Sequence, residues 1–110
     1  MAELEFHGAA RTVTGSMHLL HLDDGPVALD CGLMQGPRQL SREWNQTFPL
    51  PPERIKAVLL SHAHIDHSGN LPGLVKQGFR GRIHTTAATS DLCAVMLADS
   101  AHIQEEDARF

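Results

Sequence analysis

The sequence predicts a mixed α/β (α+β) domain, and three observations carry that reading. Its first residues alternate strictly between apolar and charged. Two apolar runs then flank an Asp23-Asp24-Gly25 turn. Finally, a short apolar run at 55–60 and a short strand-like stretch at 81–85 bracket a helical pattern.

Each element has its own signal. In residues 2–7, Ala2, Leu4 and Phe6 alternate with Glu3 and Glu5, the period of a strand with one buried face. Residues 16–22 and 26–30 read as the two strands of a hairpin around the Asp-Asp-Gly turn. The Gly-, Pro- and polar-rich stretch 32–54 reads as a loop with one short helix near 38–46. Residues 55–60 form an apolar run of the buried-strand kind, and 61–69 form a loop. A helix is expected over 71–77, with Asn70 as N-cap, Pro72 in the first turn and Gly78 just past the end. Its apolar face would be Leu71, Leu74 and Val75. Residues 81–85 make another strand. From about Ala87, the spacing of Leu92, Val95, Met96 and Ile103 predicts a long final helix, with the Leu92, Val95, Met96 stripe in the core. The strands near 3–7, 16–22, 26–30, 55–60 and 82–85 are expected in one mixed sheet.

Composition bounds the function. At 110 residues the chain holds one domain at most. An apolar share of 42% is that of a globular protein. Nine basic against 13 acidic residues, a net charge of −4, argue against passive electrostatic capture of nucleic acid, though not against a local basic groove. No apolar run approaches the ~20 residues of a membrane span and no signal segment opens the chain, so no membrane partner is expected. Cys31 and Cys93 are too few for a disulfide framework, which makes a reducing cytoplasm the expected compartment. Glu105, Glu106 and Asp107 would sit at the negative end of the last helix dipole, with no Gly, Asn or Pro to stop it. The sequence thus reads as stopping mid-element, as the N-terminal portion of a longer protein would.

The chemistry lies at residues 62–67, which read His-Ala-His-Ile-Asp-His directly after an apolar run. In an extended segment His62, His64 and Asp66 would project to one side, and the turn into the next helix would bring in His67. Imidazoles with a carboxylate suit zinc, and also iron or manganese. Ser61, Ala63, Ser68 and Gly69 are small and leave room for close approach.

The motif His62-Ala-His64-Ile-Asp66-His67, followed by Ser68-Gly69, resembles the signature of the metallo-β-lactamase superfamily. Two further stretches, Gly8 to Ser16 and Asp99 to Ala108, resemble its β-CASP branch. That branch includes the endonuclease of the mRNA 3′-end cleavage factor and prokaryotic relatives. The resemblance implies the N-terminal half of a four-layer αββα fold, whose open sheet face would favour self-association. It implies two metal ions, His62 and His64 binding the first and Asp66 and His67 the second. Asp30 would orient the site from outside the ligand set. By itself, Asp30 reads as a turn or capping carboxylate. Asp66 would also accept a proton from the attacking water. The family's later ligands, a histidine, a bridging aspartate and a further histidine, and its β-CASP domain have no counterpart in residues 1–110, which read as a partial domain.

The function implied is cleavage of RNA phosphodiesters by the complete protein, the 110-residue chain alone being inactive. A small-molecule hydrolase or iron oxygenase sharing the histidine motif is the rival within enzymes. A noncatalytic truncated remnant is the rival outside them. Gly8 to Gly15 matches neither nucleotide-binding glycine pattern. Cys31 and Cys93 read as small buried residues. His7, His18, His21, His84 and His102 read as isolated strand, surface or helix-face residues, His102 lying within a stretch that carries the resemblance.

Overall fold

The computed structural model describes residues 2–8, 15–35 and 43–108. Five strands form one sheet in the order β1-β2-β3-β4-β5: β1 Glu3–Gly8, β2 Met17–Leu22, β3 Gly25–Leu29, β4 Ala57–Leu59 and β5 Arg82–His84. The first two pairings are antiparallel and the last two parallel, the mixed sheet that the sequence predicts. A two-residue turn joins β2 to β3, with Leu22 opposite Gly25 at φ 128°, a backbone that glycine adopts without strain. A short 3₁₀ helix, Pro52–Arg54, leads into β4. Three α-helices follow: α1 Ile65–Ser68, α2 Leu71–Lys76 and α3 Ala87–Ala108. Of the short helix expected near 38–46, residues 43–46 are helical; 36–42 lie outside the described residues, as do 9–14 of the Gly8–Ser16 stretch.

The period of two gives the sheet two different faces. Leu19, Ala28 and Val58 stand opposite one another on adjacent strands and are fully buried. Leu71 and Leu74 of α2, Phe79 and Cys93 of α3 complete the core on that side. The other face carries a cross-strand row of Phe6, His18, Leu29 and Leu59, beside a second row of Leu4, Leu20, Val27 and Ala57. Nothing in the described structure covers it, and Phe6 is 65% exposed.

The end of α2 follows from its sequence. Gly78, at φ 122°, turns the chain left-handed, its N–H donating to Val75 O (3.1 Å) while the N–H of Phe79 donates to Leu74 O (3.1 Å). These are the two bonds of a Schellman motif, and the buried pair Leu74 and Phe79 supplies its apolar contact. At the other end Asn70 occupies the N-cap position, but its side chain makes no cap bond. It donates instead to Asn45 O (2.9 Å), tying the helix start to the preceding loop.

Two expectations about the core are corrected. Val75 is half-exposed and lines an open apolar groove of about 610 Å³ between α2, β5 and α3, together with Leu71, Ile83, Cys93 and Leu97. Leu92, Val95 and Ile103 are not core: Val95 is 70% exposed, and the residues of α3 that reach the core are Cys93, Met96 and Leu97. β5 is exposed at all three of its residues, so α3 meets the core only through Cys93, Met96 and Leu97 and the rest of the stripe is left outside. No described helix is long and apolar enough to cross a membrane.

Candidate metal centre

The site forms where the chain leaves β3. Asp30 takes a left-handed backbone (φ 64°), which an aspartate tolerates better than most residues. Its N–H still donates to Leu59 O on β4 (2.9 Å). Beyond it, residues 31–33 run along the start of α1 and are bonded to it: Cys31 N–H to His67 O (2.8 Å), Leu33 N–H to Ile65 O (3.0 Å), and Asn70 N–H back to Cys31 O (3.0 Å). Ser16, in the segment before β2, closes the seam. Its N–H donates to Asp66 O (3.0 Å), and its carbonyl accepts from the Gly32 N–H (2.8 Å). Gly32 is required here, since a Cβ on it would lie 1.7 Å from Asp66 O.

The motif itself is extended through His64, which is the N-cap of α1, and helical from Ile65. The buried Ser68 hydroxyl donates to Ala63 O (2.8 Å) and pins the turn. This corrects the expectation that Asp66 shares an extended face with His62 and His64. The helical turn folds the chain back, so that ligand atoms of His62, Asp66 and His67 all lie within 4.8 Å of one another. The His62 and His67 rings are 3.9 Å apart between centroids. His64 is exposed and outside that group, its ring edge-on to His62 at 4.9 Å.

Asp30 holds the cluster from behind. Its Oδ2 accepts from His67 Nδ1 (2.8 Å) and from the Ser61 hydroxyl (2.8 Å), and its Oδ1 accepts from the Ser61 N–H (2.7 Å). With Nδ1 committed to a carboxylate, the free lone pair of His67 is on Nε2, 3.4 Å from Asp66 Oδ2. Carboxylate–imidazole pairing of this kind is what orients histidines at metal sites. Ser61 is the partner of this cluster that the sequence reading missed. Its signal is a hydroxyl directly before His62, read there only as a small neighbour.

The donor set of two imidazoles and a carboxylate, with outward-facing nitrogens held in place, fits a divalent cation. Cys31 does not contribute. It is fully buried, and burial, then the Asp30 charge, pushes its thiol up to about 12, far from the thiolate that metals bind. Of the remaining histidines, His21 pairs with Glu5 (3.1 Å) and His84 and His102 are exposed. His7 and His18 are not isolated: His7 stacks on Trp44 (4.8 Å, 15°) and His18 meets the edge of Phe6.

The family model of the metallo-beta-lactamase superfamily matches residues 11–88. The chain belongs to that superfamily. Among curated superfamily relatives, Ribonuclease TTHA0252 of Thermus thermophilus is 43% identical over 99 residues, covering 90% of this chain and 22% of its own length. Transcription termination factor FttA of Methanocaldococcus jannaschii is 29% identical over 106 residues, covering 96% of this chain and 17% of its own. The chain therefore spans about a fifth of the relatives it matches. Human tRNase Z, short form, superposes with a TM-score of 0.54 at 21% identity, over 92% of this chain and 41% of its own. The fold is thus the N-terminal part of the superfamily fold, as the motif-based resemblance implies, and the superfamily accounts for the divalent-metal character of the His–Asp cluster.

Proposed function

We propose that this chain is the metal-binding N-terminal portion of a β-CASP-type ribonuclease that hydrolyses RNA phosphodiesters. The observation that carries this reading is the conjunction of the His62–Asp66–His67 cluster with 43% identity to a protein named as a ribonuclease. The β-CASP assignment is supported further by the Gly8–Ser16 and Asp99–Ala108 stretches.

Zinc is the ion the donor set suits best, with iron or manganese as substitutes. In the complete enzyme we assign His62 and His64 to one ion, Asp66 and His67 to a second. Bound metal would supply Lewis-acid stabilisation of the phosphoryl oxygens. The chain's own residues do the rest. His67 presents Nε2 because Asp30 occupies its Nδ1, and Asp66, with Oδ2 3.4 Å from that nitrogen, would accept a proton from the attacking water. A reducing cytoplasm suits the two unpaired, buried thiols.

A chimaera tests the reading. Residues 8–108 would replace the matching segment of the Thermus ribonuclease, and the product would be assayed on single-stranded RNA, a thioester and a lactone. RNA cleavage that is lost in His62→Ala supports the proposal. Thioester or lactone turnover without RNA cleavage would give the site to a small-molecule hydrolase, and no turnover at all would favour a noncatalytic remnant. The 110-residue chain alone, in excess zinc or manganese, should cleave nothing. Two described ligands per ion cannot fix the geometry that catalysis needs, and positioning contributes on the order of 7–11 kcal/mol at best.

A further inference from the structure

We infer that Ser61 is a positioning residue through which one carboxylate, Asp30, sets the tautomer of both His62 and His67. The argument is a proton count. Asp30 Oδ2 lies 2.8 Å from the Ser61 hydroxyl oxygen and 2.8 Å from His67 Nδ1. A carboxylate offers only acceptors, so both partners must donate to it. The single hydroxyl proton of Ser61 is thereby committed. Yet the same oxygen lies 3.0 Å from His62 Nδ1, and with its proton engaged it can only accept there. His62 therefore carries its proton on Nδ1, and its Nε2 lone pair is free. His67 reaches the same state by direct contact.

The consequence goes beyond geometry. On the metal assignment proposed above, His62 and His67 serve different ions, so a single buried carboxylate prepares a ligand for each. The relay has unequal arms. His67 is held by the carboxylate itself, whereas Ser61 is exposed and its bond to His62 is open to solvent. Without the hydroxyl, water would meet His62 Nδ1 and could donate as readily as accept, so no tautomer would be imposed. The Ser61 N–H bond to Asp30 Oδ1 (2.7 Å) does not depend on the side chain, so an alanine keeps the local backbone tie.

The test is long-range ¹H–¹⁵N NMR of the histidine-labelled full chain without metal, at a pH where imidazoles are neutral. In the wild type both His62 and His67 should show the Nδ1–H tautomer. Ser61→Ala should move His62 to an averaged signal and leave His67 unchanged, and Ser61→Thr should restore His62. Zinc titration should then show affinity about tenfold weaker in Ser61→Ala, recovered in Ser61→Thr. An Nε2–H tautomer at His62 in the wild type overturns the inference, whatever the variants do. So does a His62 that is unmoved in Ser61→Ala, or a His67 that moves with it, which would mark a general loss of structure. The tautomer readings need no metal. If they come out as expected and the wild type binds no zinc, the metal assignment falls and the relay stands.

Discussion

Asp30 and His67 are 37 residues apart in the chain, and their side chains meet at 2.8 Å. The contact joins the end of β3 to the only turn of α1, and it aims the imidazole at Asp66. Replacing Asp30 with Asn keeps the size and the tolerance for a left-handed backbone while removing the charge. Zinc affinity of Asp30→Asn should fall about 10–100-fold, as measured by competition with a chelating dye. Unchanged affinity would leave Asp30 as a capping residue only.

Gly32 is where a side chain would do most damage. A Cβ there meets the Asp66 carbonyl, so Gly32→Ala must push the segment 31–33 away from α1. Denaturant unfolding should show a loss of about 2–3 kcal/mol, in line with overpacking of a close contact. Zinc content should drop with it. A variant as stable as the wild type would mean that the seam is looser than described.

Metal stoichiometry discriminates among the histidines. The His62–Asp66–His67 group converges without His64, and on the two-ion assignment His62→Ala should lose the first zinc equivalent and His67→Ala the second. His64→Ala should lower metal content by weakening the first ion's site. Elemental analysis reads all three, and equal stoichiometry in His64→Ala and wild type would remove His64 from the ligand set.

His7 gives the chain an acid-sensitive component. Burial, opposed by Glu5 and aided by His18, holds its pKa below the ordinary 6.5. Below that pH the unfolded chain takes up a proton that the folded chain refuses. Stability should therefore fall as pH drops from 6.5 toward the folded pKa, and be fully present above 6.5. His7→Phe keeps a ring on Trp44 and should flatten this part of the pH–stability curve. An unchanged slope would show that His7 is not its source.

The open sheet face should make the chain self-associate. Phe6, Leu4 and Leu59 are exposed on one face, a contiguous apolar surface of the kind that monomers avoid. Light scattering should report a mass above 12.0 kDa, reduced in Phe6→Lys. A freely soluble monomer with sharp cooperative unfolding would argue the opposite.

Much of this was written in local sequence. Strand period, the Asp-Asp-Gly turn, Pro72 and Gly78 are short-range signals, and the strands and α2 lie where those signals put them, within a residue or two. The H-x-H-x-D-H spacing marked the site for the same reason, since its residues are neighbours along the chain. Which side chains converge was not local. Asp66 turns toward His62 because α1 begins at Ile65, and that start is held by bonds from residues 16, 31 and 33. Leu92 and Val95 share a helical stripe with core-like spacing, yet periodicity says only that a helix has an apolar face, not that anything covers it. The partner elements decide that, and the core meets only the Cys93–Leu97 side of α3. Ser61 was invisible for a related reason. A serine beside a histidine is unremarkable until a carboxylate 31 residues away accepts its hydroxyl hydrogen bond, and only the tertiary fold brings Asp30 there.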